Sequence, residues 1–352
     1  MRFSRIFLSL IGLAVLASAP LALGQDAPQA ITTLKTKDNL SADETQQLTA
    51  WVDETIVAIG GNDGIAAAQS LRALTALDSG GKPGFREALA TAIFAGVRSG
   101  LPKANVEGAA RLARAAAITD RAEAATVLVA ALADERAAVR AAAAFGLKKL
   151  QPRLAQAGGQ FITTTLDALV NAAKAENSRG ALVAEYEALN FPANSPAAAD
   201  AVKAMVRVLE GRWSVDATDK VAAEGGDLVA LRALAPRAKS LDAGVQRQLA
   251  IVAARIARLN VLNYTTDRAT GEQAMMKVKD NDSPEVVARR NAAEQTIIEC
   301  EGILAALAGP APANTLVQAM QALNATDMKV AWGTWTEQLR TKFNINVALP
   351  GG

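Results

Sequence analysis

Two short runs in the chain have residue types and spacings that are found at catalytic or metal sites. Ser79 and Lys82 have the spacing with which a lysine activates a serine nucleophile, but they lie in a glycine-rich turn and lack the other motifs of such enzymes. Pro83 follows the lysine where a phosphate-binding loop needs Ser or Thr. We therefore predict a flexible turn at this position.

The second run, residues 280–285, places Asp, Asn, Asp and Glu in the manner of a calcium loop. Such a loop needs oxygen ligands at alternate positions and a glycine for its sharp turn. Here Pro284 occupies the fifth position and the glycine is missing. The run instead predicts the start of a helix, with acidic residues at the positive end of the helix dipole.

The chain has one cysteine, Cys300, and no histidine. The lack of histidine excludes Ser-His-Asp and Cys-His catalysis and zinc sites with histidine ligands. Cys300 shares an apolar helix face with Ile297 and Leu304, so we expect a buried thiol whose pKa is raised by burial. We predict no catalytic residue, metal ligand or cofactor.

The N-terminal residues 1–24 have the features of a secretory signal peptide. Arg2 and Arg5 provide the positive charge, residues 6–16 are apolar, and small side chains at 22 and 24 suit cleavage after residue 24. The alternative is an uncleaved anchor, because the apolar stretch is nearly long enough to span a membrane. We expect an exported protein, periplasmic or secreted, with no membrane span after cleavage.

Charge gives no reason to expect nucleic acid as a partner. Removing Arg2 and Arg5 from the 37 basic residues leaves 35, equal to the 35 acidic residues. A neutral mature chain has no overall field that would draw it to nucleic acid or to an anionic membrane.

Composition and periodicity predict helices throughout the mature chain. Apolar residues make up 51% of the sequence and aromatic residues only 4%, which suits closely packed helices better than a β-sandwich. We expect a flexible arm at residues 25–40, helices over residues 41–343 and a loose tail at residues 344–352. The helical part opens on a capping box at residues 41–44.

The clearest unit is a pair of amphipathic helices at residues 121–133 and 136–150. In the first helix, apolar residues recur at i, i+3, i+4 and i+7, and in the second they also share one face. Asp134 and Glu135 form the link, which is so short that the two helices must be antiparallel neighbours.

The second half of this unit resembles a HEAT repeat, in which an aspartate in the inter-helix turn precedes a Val-Arg pair and an alanine-rich helix. The residues concerned are Leu132, Asp134, Val139, Arg140, the alanines at 141–144 and Leu147. Similar helix starts recur near residues 85, 178, 245 and 283. The resemblance implies an all-α fold, an α-α superhelix of about eight antiparallel hairpins whose second helices line the concave face.

Two groups of residues are candidates for binding a partner. Arg140, Arg179, Arg247 and Arg290 recur near the starts of second helices. They form either a ladder for anionic partners or ion pairs with turn carboxylates such as Asp134.

Trp332 and Trp335 are the second candidate group, because they lie three residues apart and share one helix face. If exposed, they would suit a sugar ring or a partner protein. The alternative is that they cover the open end of the solenoid.

These features predict an exported, non-enzymatic scaffold that binds a protein partner. Two alternatives remain. One is an enzyme or cofactor-handling protein in which carboxylates across the groove act as acid and base. The other is a small-ligand binder with a closed apolar cavity. Exposed Leu, Trp or Arg residues on the concave face would favour the scaffold.

Overall fold

The computed structural model describes residues 27–213, 225–265, 284–313, 315–322 and 324–347. The predicted signal peptide and most of the acidic run at 280–285 lie outside these ranges. The described helices are α1 (Gln29–Leu34), α2 (Ala42–Gly60), α3 (Gly64–Asp78), α4 (Pro83–Gly100), α5 (Val106–Ile118), α6 (Ala124–Ala131), α7 (Ala137–Ala157), α8 (Gly159–Ala175), α9 (Arg179–Leu189), α10 (Ala198–Arg212), α11 (Leu228–Leu234), α12 (Ala243–Thr265), α13 (Pro284–Leu307), α14 (Leu316–Gln321) and α15 (Ala325–Phe343), with a 3₁₀ helix at Ala235–Ser240.

Helix starts follow the local sequence signals. At the start of α2, the Ser41 hydroxyl accepts a hydrogen bond from the Glu44 N–H, and a Glu44 carboxylate oxygen accepts one from the Ser41 N–H at 2.9 Å. Asp63 caps α3 in the same way, accepting from the N–H groups of Ile65 and Ala66. These side chains satisfy backbone donors that have no partner within the helix.

The helices stack as a two-layered array of hairpins. The two helices of each hairpin are in contact, and the hairpins are α2–α3, α4–α5, α6–α7, α8–α9, α10–α11, α12–α13 and α14–α15. The described part therefore has seven hairpins, against the eight expected. Helices α2, α5, α7, α9, α11 and α13 pack side by side as a first layer. A second layer consists of α4, α6, α8, α10, α12 and α15. The chain is an all-α helical repeat solenoid, as predicted.

Small residues allow the helices of the first layer to approach closely. A Cβ at Gly108 of α5 would overlap the carbonyl oxygen of Gly60 at the end of α2. A Cβ at Gly146 of α7 would lie 3.2 Å from the Cβ of Ala117 in α5. Small residues thus allow close backbone packing, beside a core that also contains large side chains such as Phe85, Tyr186 and Phe191.

The described residues of the arm, 27–40, and of the tail, 344–347, pack against the array. In the arm, Ile31 and Leu34 of α1 are buried, and the Lys35 ammonium donates to the carbonyls of Ala76 and Ser79 at 2.7 Å. In the tail, Ile345 and Val347 are buried. The first and last hairpins of a stack expose apolar surface on one side, and these segments cover it.

A membrane-spanning helix needs about 20 consecutive, mainly apolar residues. Among the helices of the described ranges, none is both long and apolar enough to cross a bilayer.

Candidate functional site: the outer face of the first layer

Of the four arginines predicted to form a ladder, Arg140 is used within the fold. Its guanidinium donates two hydrogen bonds to the Glu176 carboxylate, at 2.6 and 2.8 Å, and two to the carbonyls of Asp134 and Glu135. Burial alone would raise the pKa of Glu176, but bonds from Arg140 and from the Ser178 N–H outweigh it and hold the pKa below its usual value. Arg140 therefore joins consecutive hairpins.

The other three predicted arginines differ from one another. Arg247 donates to the Phe343 carbonyl at 3.3 Å, and Arg290 is half-buried. Arg179 is exposed at the start of α9, and its side chain makes no hydrogen bond or ion pair within the described ranges. Arg179 and Arg247 are both exposed, and of these two Arg179 is the one whose side chain has no partner within the described ranges.

A different set of arginines forms a regular structural series that the sequence analysis missed. Each donates to carbonyl groups at or just beyond the C-terminus of a helix in an earlier hairpin, where the last carbonyls have no partner within the helix. The pairs are Arg111 with Ile59 and Gly61, Arg136 with Leu101 and Ala104, Arg212 with Ala173 and Glu176, and Arg237 with Phe191. Their separations of 32 to 52 residues are not visible in local sequence.

Three buried carboxyl groups lie in or near α9: Glu176, Glu185 and Asp227. Asp227 accepts hydrogen bonds from Tyr186 at 2.6 Å, from Arg212 at 2.9 Å and from the Trp213 indole at 3.1 Å. Glu185 is fully buried, and among the described residues neither of its carboxylate oxygens has a hydrogen-bond partner.

The environment of Glu185 favours its neutral form. Burial, and secondarily the charge of Glu176, raises its pKa to about 8, although Arg140 and Arg212 act in the opposite direction. With Glu185 protonated, the two arginines balance the charges of Glu176 and Asp227. The enzyme alternative requires a carboxyl that a substrate can reach, and Glu185 is closed off from solvent in this conformation.

Trp332 and Trp335, the second predicted group, are both buried, with exposed fractions of 1% and 0%. The Trp332 indole donates to the Val347 carbonyl at 3.0 Å, and the Trp335 indole donates to Glu301 at 2.9 Å. They cover the end of the array, which is the alternative stated for them. Large apolar rings at a terminal hairpin are most stable when buried.

Two further motifs from the sequence lie within the described ranges, Cys300 and the turn that contains Ser79 and Lys82. Cys300 is buried, and burial raises the pKa of its thiol well above the usual value, as predicted. The Lys82 ammonium pairs with Asp38 at 2.9 Å, while the Ser79 carbonyl binds Lys35. Within the described residues, no three Cys, Asp or Glu side chains are grouped so as to hold a metal ion.

An exposed face of the first layer has the chemistry of a binding surface. Phe145 of α7 is 48% exposed, an unusual position for a phenylalanine in a core-forming helix. Arg114 of α5, Lys149 of α7 and Arg179 of α9 are exposed on the same layer, and Val183 of α9 is partly exposed. We call these five residues the Phe145 face.

Helix packing fixes the register of the Phe145 face. Gly146 lies opposite Ala117, so Phe145 is level with the helical turn of α5 that follows Arg114. On the other side, Lys148 pairs with Glu187 of α9 at 3.0 Å, which puts Val183 one turn before that contact. Three parallel helices therefore bring the five residues onto one surface.

Comparisons with known proteins give no family for the chain. No family model matches it, and no curated protein matches it. Among solved structures, it is similar to a karyopherin, Kap121p, determined in complex with the SUMO protease Ulp1p, with 14% identity and a TM-score of 0.37; the match covers 85% of this chain but 34% of the karyopherin. An engineered protein matches at 17% identity and a TM-score of 0.29, over 89% of this chain and 86% of the other.

Proposed function

We propose that this protein is an exported, non-enzymatic scaffold that binds a protein partner through the Phe145 face. The observation that carries the proposal is the half-exposed ring of Phe145, in the middle of a surface built by three parallel helices. Exposed aromatic residues surrounded by polar ones are enriched at the centres of protein interfaces, where they supply most of the binding energy.

Regular stacking makes such a surface suitable for a partner. The inter-hairpin arginines and the close glycine contacts hold α5, α7 and α9 at fixed positions relative to one another. A rigid array loses little conformational entropy when it binds. Less of the favourable free energy of its contacts is therefore offset by ordering, and the affinity is higher.

Export is the second part of the proposal, and it is supported by the charged and apolar pattern of residues 1–24. Mass spectrometry of the N-terminal peptide of the protein isolated from its own cells tests it. We expect a chain that starts at Gln25 in an extracytoplasmic fraction. A cytoplasmic chain that retains residues 1–24 would contradict export.

We also propose that the hairpins are HEAT repeats. Support comes from the α6–α7 unit, where Asp134 lies in the turn and its carboxylate binds Arg136 at 2.7 to 2.9 Å, while Arg140 ties the turn to the next hairpin.

A comparison of three proteins tests the binding role. The chain, Phe145→Ala and Phe161→Ala are each used to capture proteins from a cell-envelope extract. Phe161 is a matched control, because it is 36% exposed on α8 in the second layer. We expect Phe145→Ala to lose a captured protein that the other two retain. Identical captured proteins from all three would contradict the role of this face.

A further inference from the structure

The charges around Phe145 point to the kind of partner. We propose that the Phe145 face binds an acidic segment of a partner protein, with an apolar side chain of that segment placed against Phe145. The proposal rests on the scaffold function and adds the chemistry of the partner.

Unpaired cations are the first observation. Arg114, Lys149 and Arg179 are exposed, and within the ranges that the structure describes none of them has an ion-pair partner. By contrast, their neighbours are neutralised: Lys148 pairs with Glu187 at 3.0 Å, and Arg111 with Glu107 at 3.6 Å. The face therefore carries three net positive charges on a chain that is close to neutral.

The arrangement of these cations is the second observation. Lys149 lies one helical turn after Phe145 on the same side of α7. Arg114 lies one turn before Ala117, the residue of α5 that opposes Gly146. Arg179 lies three residues after Glu176, and Glu176 is bound to Arg140 of α7. The positive charges thus come from three different helices and surround the phenylalanine.

The apolar centre favours a protein over nucleic acid. A nucleic-acid surface generally needs a row of phosphate contacts, on the order of 6–10 of them, and this face offers three cations. Ala141 and Val183 beside Phe145 are partly exposed, so they extend an apolar floor on which an aliphatic or aromatic side chain can pack. Guanidinium groups at the rim are suited to carboxylates, which they bind through two parallel hydrogen bonds.

Selection from a phage-displayed library of random peptides tests the proposal on the full chain. We expect the selected peptides to be enriched in Asp and Glu and to contain at least one large apolar residue. Their affinity is then measured by fluorescence anisotropy at about 0.1 M and about 1 M salt, because the Debye length shortens from about 10 Å to about 3 Å over that range. Affinity should fall as salt increases.

Two triple variants separate local from overall charge. Arg114→Glu, Lys149→Glu and Arg179→Glu reverse the Phe145 face. Arg72→Glu, Arg98→Glu and Lys103→Glu make the same change in net charge at exposed positions outside the Phe145 face. We expect the first triple variant to weaken peptide binding by roughly tenfold or more, since each rim charge contributes modestly, and the second to change it little.

Each outcome decides between the proposals. Peptides that require Phe145 but are not acidic, or that bind both triple variants equally, overturn the acidic partner and leave the scaffold function standing. A failure to select any peptide that depends on Phe145 overturns both. If a single-stranded DNA oligonucleotide displaces the peptides and binds the chain as tightly, the choice of a protein partner is wrong.

Discussion

Among single side chains, Glu185 links protonation to the stability of the fold. It is buried with no hydrogen-bond partner in the part of the chain that the structure describes, and its pKa is raised to about 8. In the unfolded chain the pKa is close to the 4.5 of a free glutamate. Above about pH 4.5 the unfolded chain loses this proton and the folded chain keeps it. The contribution of Glu185 to stability therefore decreases as the pH rises from about 4.5 to about 8 and is constant above that.

Replacement by glutamine tests this linkage. Glu185→Gln is neutral at every pH, so the difference in unfolding free energy between the wild type and the variant should fall by up to about 1.4 kcal/mol per pH unit between pH 5 and pH 8. Urea unfolding across this range measures it. Glu54→Gln, at an exposed position of α2, is the control and should show no such trend. A pH-independent difference for Glu185→Gln would mean that the group is ionised when folded.

Glu301 is a second residue whose role is visible only in three dimensions. Its carboxylate accepts hydrogen bonds from the Trp335 indole and the Leu316 N–H, both at 2.9 Å, and from the Val317 N–H at 3.3 Å. Glu301 thus accepts hydrogen bonds both from backbone N–H groups at the start of α14 and from the indole of the buried tryptophan.

Truncation of the Glu301 side chain should destabilise the folded protein. Glu301→Ala leaves three donors without a partner and should lower the unfolding free energy by about 3 kcal/mol or more, since each unsatisfied buried group costs about 1–3 kcal/mol. Glu337→Ala, at an exposed position of α15, should change it by less than about 0.5 kcal/mol. Chemical unfolding followed by tryptophan fluorescence compares them, and equal effects would contradict the role assigned to Glu301.

At the scale of helices, contact between α5 and α2 depends on Gly108. An alanine there would place its Cβ against the Gly60 carbonyl, which is backbone and cannot rotate away. In α15, Gly333 has no atom near the position of an added Cβ, so it is a matched helical control.

The two glycines should respond in opposite directions. Gly108→Ala should destabilise the protein by roughly 1–3 kcal/mol, the usual effect of overpacking. Gly333→Ala should stabilise it by about 0.5–1 kcal/mol, because glycine is a poor helix former. Urea midpoints measure both. A Gly108→Ala variant as stable as the wild type would show that α2 and α5 are not in close contact.

Local patterns predicted the helices well, because their signals lie within a few residues. The capping box at Ser41 and the hairpin around Asp134 are examples. The same patterns do not indicate α1, since a short polar segment shows no periodicity and its burial depends on a surface formed by other helices. The exposure of Phe145 has a local signal, because Phe145 lies outside the apolar face of α7 that contains Val139 and Leu150.

At the scale of the whole molecule, the contacts between hairpins could not be read from the sequence. Arg140 and Glu176 are 36 residues apart, and nothing near either residue marks the other as its partner. The residues of the Phe145 face also form one continuous surface only when α5, α7 and α9 are stacked. For the same reason, the exposure of Trp332 and Trp335 could not be decided from their spacing.

Photo-crosslinking tests the scaffold function most directly. A benzophenone amino acid is incorporated at position 145, or at position 161 as the control, in the full chain expressed in its own cells and then irradiated. We expect a discrete crosslinked protein at position 145, absent at position 161 and lost when Arg114, Lys149 and Arg179 are reversed. Crosslinks that are equal at both positions, or absent at position 145, would contradict the proposal that this face binds a partner.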